Sequence, residues 1–377
     1  MASQLFESFT EYFDDLQDPR TRECLHQFHE ILFLATCATI AGADGPSEIE
    51  EFGLHQLHWL RKHIPLANGI PSHDTIGRLF SLIKPIKFQE AFLNWIHSMW
   101  AKHSSTGNEL TPIAIDGKTE RGSKTSGRNP LHIVSAWATE YSLSLGQRAV
   151  DSKSNEITAI PELLQSLELL GKVVTMDAMG CQKEIAKTIV EGKGEYSLAV
   201  KANQPKLFEA IEGFFEEVIA SEQESIVCRQ HQTQERSRGR EEFRHYMITK
   251  VPKSMSDFQE QWPKLKSIGR CMSMVERDGK ITTEVRYYIT SLAPKVQIFA
   301  KSVRSHWGIE SMHWIMDVVF QSDKSRIRKD HATENFGFLR RFVISLLKQD
   351  TSKASLKCKR KKAGWDITYL EKIMQIA

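Results

Sequence analysis

Between Thr111 and Val200 the chain changes its apolar rhythm repeatedly. Short strand-like runs stand at Ile113–Ile115, His132–Ala138, Ser142–Val150, Val173–Met176 and Tyr196–Val200, with 3.6-residue patterns at Ile157–Leu170 and Gln182–Glu191 among the later ones. Three strands followed by helix-strand-helix-strand bury their apolar faces as a mixed sheet with helices packed on it, so an α/β core is predicted. The flanks read differently. Residues 4–105 read as helices, with Ile31, Leu32, Leu34, Ala35 and Ala38, and later Phe88, Phe92, Trp95, Ile96 and Met99, at helical spacing. Residues 225–292 alternate at Glu242–Ile248, Ser267–Val275 and Thr282–Ser291, and a helix-rich stretch follows from Lys295. The predicted organisation is an all-α N-terminal domain (1–105), a first core part (111–222), a β-rich insertion (223–293), a second core part with a long helix (294–347) and a basic tail (348–377). The polar stretch Ser104–Glu109 reads as a linker.

Composition narrows the function classes. Hydrophobic residues at 41% and charged residues at 26% are those of a folding chain, which excludes a disordered or collagenous one. A net charge of +3 means that any nucleic-acid surface must be local. The longest apolar run, Ile31–Ile40, falls short of the roughly 20 residues a bilayer span needs, and the acidic start MASQLFESFTEYFDDL is unlike a signal peptide. A soluble, cytoplasmic protein without a membrane partner is expected. The cysteines (Cys24, Cys37, Cys181, Cys228, Cys271, Cys358) show no CxxC spacing, which favours reduced thiols over disulfides or zinc.

Three carboxylates carry the chemistry. Asp116 closes Ile113-Ala114-Ile115 and Asp177 closes Val173-Val174-Thr175-Met176, and side chains at the carboxyl ends of such strands project into the ligand crevice. A strand-terminal Asp equally serves as a helix cap. In the helix Lys295–Phe320, Val303, Trp307, Glu310, Trp314 and Asp317 recur at steps of four and three, placing Glu310 on a stripe read as buried. A carboxylate there needs a cation or strong donors, or a local partner such as His306 or His313. Carboxylates without thiolates suit Mg²⁺ or Mn²⁺, and two such ions about 3.5–4 Å apart serve phosphodiester chemistry. Glu310-x-x-His313 and Glu242-x-x-His245 also match the spacing of di-iron bundles, but Glu242 and His245 lie in a strand-like run.

Four segments now define a family resemblance. They are Ile113-Ala114-Ile115-Asp116-Gly117-Lys118-Thr119, Ser154-Asn155-Glu156-Ile157-Thr158-Ala159-Ile160-Pro161, Thr175-Met176-Asp177-Ala178-Met179-Gly180-Cys181-Gln182 and His306-Trp307-Gly308-Ile309-Glu310. They closely resemble bacterial insertion-sequence transposases of the H-repeat-associated group with a DDE catalytic core. The likeness runs on through Lys201-Ala202-Asn203-Gln204, Val285-Arg286-Tyr287-Tyr288-Ile289 and His313-Trp314-Ile315-Met316-Asp317-Val318, and back to Gly69-Ile70-Pro71-Ser72-His73-Asp74-Thr75. It implies an RNase H-like fold, with Asp116, Asp177 and Glu310 as the catalytic and metal-binding triad for two Mg²⁺ or Mn²⁺ ions. It further implies that Lys118, Lys201, Asn203 and Gln204 meet DNA phosphates near the strand ends. The partners implied are double-stranded DNA, as transposon ends and target, and further copies of the chain on that DNA, in a bacterial, nucleoid-associated setting.

The chain departs from its relatives at Ser322-Asp323, where many carry an acidic pair, and its helix signature reads Val303, His306, Glu310 and Asp317. Two basic clusters supply further candidate DNA contacts: Arg238 and Arg240 within Arg229–Arg244, and Lys359, Arg360 and Lys361 within Lys348–Lys362. Both also read as solvated charge. Residues 69–80 read as a helix-turn-helix or as a packed helical hairpin. Three functions stay open here: a DNA strand-transfer enzyme, a two-metal nuclease without strand transfer, and a catalytically silent DNA-binding remnant.

Overall fold

The computed structural model describes residues 3–103, 110–127, 129–150, 155–223, 227–237 and 239–376. The linker at 104–109 and Arg238 lie outside the described residues. The N-terminal region is helical, with α1 (Gln4–Glu11), α2 (Phe28–Ala41), α3 (Pro46–His55), α4 (Leu57–Leu60), α5 (His73–Leu82) and α6 (Pro85–His103). Helix α2 is apolar on all sides and nearly all buried, so neighbouring helices surround it. Its Thr36 and Thr39 hydroxyls satisfy themselves on carbonyls one turn back. Ser72 starts α5 by accepting from the Thr75 N–H, and Ile76, Leu79 and Phe80 face inward.

The core follows as β1 (Thr111–Glu120), β2 (Leu131–Ala138), β3 (Leu143–Ala149), α7 (Glu156–Gln165), β4 (Lys172–Met176), α8 (Lys183–Glu191), β5 (Glu195–Val200) and α9 (Pro205–Ala220). Next come β6 (Arg229–Ser237), β7 (Arg240–Lys250), α10 (Ser256–Gln261), β8 (Ser267–Arg277), β9 (Lys280–Thr290) and the long α11 (Val296–Val318). The chain ends with α12 (Ala332–Gln349), α13 (Leu356–Trp365) and α14 (Ile367–Met374). The strands form one nine-stranded mixed sheet in the order β3-β2-β1-β4-β5-β9-β8-β7-β6. Among the described residues only β1–β4 and β4–β5 pair in parallel; α8 joins β4 to β5, whereas β2, β3 and α7 lie between β1 and β4. The β-rich segment extends the core sheet, because β9 pairs antiparallel with β5 from Ser197↔Thr290 to Val200↔Tyr287. Strand β6 escaped the periodicity reading because its run, RQHQTQERS, has no apolar face.

Two expectations about single elements change. The strand expected to stop at Asp116 continues to Glu120, because β2 pairs with β1 from Ala114↔Trp137 to Glu120↔Leu131, whereas β4 accompanies it only through Ala114↔Thr175. The stripe of α11 expected to be buried is so only at Val303; Trp307 and Asp317 are half-buried, and Glu310 and Trp314 lie on its open flank. Trp314 is 56% exposed and Glu310 is exposed, while Phe299, Val303, Ile309, Met312 and Met316 fill the core. Spacing alone cannot choose between the two, since both stripes are apolar at helical intervals.

The C-terminal stretch departs most from a solvated tail. Helices α13 and α14 pack on α2, and Ala363, Tyr369, Leu370, Ile373 and Met374 are buried. Lys359 and Arg360, expected to meet DNA, are 6% and 5% exposed. Lys359 Nζ donates to the carbonyls of Leu347 and Asp350. Arg360 donates to the Val319 carbonyl at 2.7 Å and to Asp44 Oδ1 at 2.9 Å, and lies over the Phe320 ring at 4.0 Å. Both side chains are buried and paired within the protein, Lys359 with Asp350 and Arg360 with Asp44, while Lys361 beside them is exposed. Among the described residues no helix is long and apolar enough to cross a membrane.

Candidate active site

The pairing of β1 with β4 sets the site. Their parallel register ends at Ala114↔Thr175, two residues short of Asp116 and Asp177, and β4 itself ends at Met176 while β1 continues. Paired strands lie about 4.8 Å apart up to that point. Asp177 also caps the 3-10 turn Ala178–Gly180, accepting from the N–H groups of Met179 at 3.0 Å and Gly180 at 3.4 Å. The cap and the crevice position therefore coincide in one residue.

Even-numbered residues of β1 face α11 and α12 and form a ladder of alternating charge. Asp116 Oδ2 lies 3.5 Å from His313 Nδ1, Lys118 Nζ lies 2.6 Å from Asp317 and 3.3 Å from Asp323, and Glu120 meets Arg341 at 3.2 Å. Lys118 is 7% exposed and held between two carboxylates, Asp317 and Asp323. Asp323 is the second acid on Lys118, while Ser322 donates to Asp317 at 2.9 Å. On the odd face, Gly117 leaves room for the His132–Glu156 pair, which a Cβ there would strike.

Helix α11 brings His306, Glu310, His313 and Asp317 to β1 at steps of four, three and four. His306 Nδ1 lies 3.2 Å from the Thr175 hydroxyl, and its burial drives its pKa down despite the charges of Asp116 and Asp177. Burial pushes the Asp116 carboxyl up, but the hydrogen bond and charge of His313, with His306 behind it, hold it below the ordinary carboxylate value. The Glu310 carboxyl is raised, chiefly by desolvation and also by Asp116, against the pull of Arg286. The buried Nε2 of His313 meets no hydrogen-bond partner among the described residues. The donor set is chemically right for a hard divalent ion, yet the carboxylates do not converge. Among the described residues no three His, Cys, Asp or Glu side chains stand together as metal ligands.

Glu310 separates two concavities. The smaller, about 210 Å³, is shared with Asp177, His306, Lys201 and Arg286. Lys201 is exposed there, whereas Asn203 donates to the Ala178 carbonyl at 2.5 Å and Gln204 to the Cys181 carbonyl at 3.0 Å. Those two amides brace the Asp177 turn. The larger, about 670 Å³, runs between one face of β7–β8–β9 and the open flank of α11. The Trp307 ring is faced by the guanidinium groups of Arg244 at 4.8 Å, Arg286 at 5.1 Å and Arg304 at 5.9 Å. Each is also matched by acid: Arg304 doubly to Glu235, Arg286 doubly to Glu284, and Arg244 and Arg240 to Glu242. Sequence reasoning singled out Arg240 but missed the role of Arg244, Arg286, Arg304 and the two tryptophans. The signal was present as in-phase Arg and Glu on strands β7 and β9.

Strand-end carboxylates, a helix bringing a third acid and an arginine-lined groove define a class, and the family comparison states which one. Residues 107–347 match the model described as Transposase DDE domain, and residues 10–96 the DDE_Tnp_1-associated model. The chain belongs to the DDE transposase family. It is 41% identical over 359 residues to the H repeat-associated putative transposase YhhI of Escherichia coli (strain K12), covering 93% of this chain and 92% of that one. It is 40% identical over 376 residues to the putative transposase YncI of Escherichia coli O157:H7, covering 98% and 94%.

Proposed function

We propose that this chain cuts double-stranded DNA at the ends of an insertion sequence and joins the freed 3′-end to target DNA, with Asp116, Asp177 and Glu310 as its catalytic carboxylates. The observation that supports the reading is that the parallel β1–β4 register ends two residues before Asp116 and Asp177, and that Asp177 and Glu310 line one concavity. The order β3-β2-β1-β4-β5, with β2 antiparallel to both neighbours, supports an RNase H-like core. The three carboxylates would hold Mg²⁺ or Mn²⁺, which when bound supplies charge for the attacking and leaving oxygens. Lys201 and the groove lined by Arg240, Arg286 and Arg304 would receive the strand beside Glu310, and the pairing of these arginines with glutamates keeps each fork oriented until a phosphate competes for it. Oligomerisation on DNA belongs to the same reading.

The test replaces Asp116, Asp177 or Glu310 singly with Ala and assays supercoiled DNA carrying the element's ends. Nicking and joining should fall by orders of magnitude, and a variant that nicks at the parent's rate would overturn the triad. The open arrangement of the carboxylates favours one second reading, a silent DNA-binding remnant. The two part on metal binding: an active chain gains thermal stability with Mn²⁺ and loses that gain in Asp116→Asn, whereas a remnant gains none. Hydrolysed ends without joined product would identify a nuclease.

A further inference from the structure

A second furrow, about 730 Å³, lies between the N-terminal helices and the segment that follows α11. One wall is α5 with the start of α3. The other is 325–329, which leaves the 3-10 turn Ser322–Lys324. Its rim carries Arg78, Arg326, Arg328 and Lys329, all exposed. Among the described residues none of these four is in an ion pair. This is the opposite of the groove beside Glu310, where every arginine is matched by a glutamate. A cation without a carboxylate holds only water and counterions, which an arriving phosphate releases to solution.

The furrow is also braced. Buried Arg340 donates to the Asp44 carbonyl at 2.7 Å and to Ser325 Oγ at 3.3 Å, joining the two walls. Arg328 Nε donates to the Gly122 carbonyl at 2.9 Å, and Asn335 ties α12 to the end of α5 through the carbonyls of Phe80 and Ile83. The acids that line it are largely engaged: Asp44 holds Arg360, and Glu48 accepts from the Asp44 N–H. Asp74, at the rim, stands 3.7 Å from His73. The segment connects to the site as well, since Asp323 at its root holds Lys118, two residues beyond Asp116 on the same face of β1.

We propose that this furrow binds the phosphate backbone of duplex DNA, independently of sequence, with Arg78 from the N-terminal helices and Arg326 and Lys329 from the core acting as one surface. The inference rests on the reading of the chain as a DNA-processing protein and adds a holding site remote from Glu310. Backbone contacts fix the position of a duplex without reading its bases, which is what a carboxylate site that acts on a phosphodiester requires of its supporting surface.

The experiment titrates the full chain and an Arg78→Gln/Arg326→Gln/Lys329→Gln variant against a labelled duplex of arbitrary sequence over a range of KCl concentrations. The slope of log affinity against log salt should become shallower by about 0.9 for each phosphate that is no longer neutralised, hence by about 2 to 3 in the triple variant. A triple variant with the parent's slope and affinity overturns the furrow and leaves the transposase reading standing. A parent that binds no duplex at any salt overturns both. If the triple variant melts early, Arg326→Gln alone carries the test, with a slope change of about 0.9 expected and an unchanged slope counting against the site.

Discussion

Asp350 is the carboxylate on which the C-terminal helices close. It is buried, accepts from Tyr369 Oη at 2.8 Å, from Lys372 at 3.2 Å and from Ser352, and faces Lys359 at 3.5 Å. Burial alone would raise its pKa, but these donors together hold it well below the carboxylate range. A depressed native pKa contributes stability that is present above the unfolded value, about 3.9, and disappears as pH falls through the lower native one. Asp350→Asn leaves Lys359 buried without its counter-charge and should cost roughly 3 kcal/mol at pH 7. Melting curves of parent and variant should separate by several degrees at neutral pH, and the gap should begin to narrow below pH ~4 and close as pH falls through the lower native value. A gap independent of pH would show that packing, not charge, holds the corner. Lys359 teaches the same lesson from the other side: in a run of seven basic residues nothing in the sequence marks which two are buried, since Lys359 folds back on Asp350 nine residues earlier and the partner of Arg360, Asp44, lies far away in the chain.

At the level of elements, α11 works because it can approach the sheet closely at one point. A Cβ on Gly308 would collide with Thr139, whose hydroxyl donates to the Ser305 carbonyl at 2.7 Å. The side chain at 308 must therefore be absent for Glu310, two residues on, to reach the opening beside Asp177. Gly308→Ala should destabilise by about 1–3 kcal/mol through overpacking and reduce DNA cleavage beyond what the lower stability explains. Cleavage at the parent's rate at a temperature where the variant is fully folded would show that α11 tolerates the shift. The helix was legible as a helix, but its working face was not. Glu310, Trp307 and Trp314 share a helical stripe that suits a core equally well, and only the position of β7 to β9 turns that stripe into a groove wall.

For the whole molecule, the N-terminal helices, the sheet and the C-terminal helices share one core. Leu370, Ile373 and Met374 of α14 are buried with residues of α2. At about 1.5–3 kcal/mol for each buried side chain, their removal approaches the ~5–15 kcal/mol of net stability that folded chains possess. A chain ending at Gln349 should aggregate or melt far below the parent in a thermal scan. One that melts with the parent would show α13 and α14 to be accessory.

The α/β order, the helical N-terminus, the strands around Asp116 and Asp177 and the helix around Glu310 were all written in short-range patterns, because caps, side-chain alternation and helical spacing act within a few residues. Their convergence was not, since the meeting of Lys118 with Asp323, of Asp116 with His313 and of Arg244 with Trp307 depends on strand register and on which helix face the sheet covers. Charge carries no address in a sequence. Whether a lysine lies in water or between two carboxylates was decided only when the packed chain removed some of them from solvent.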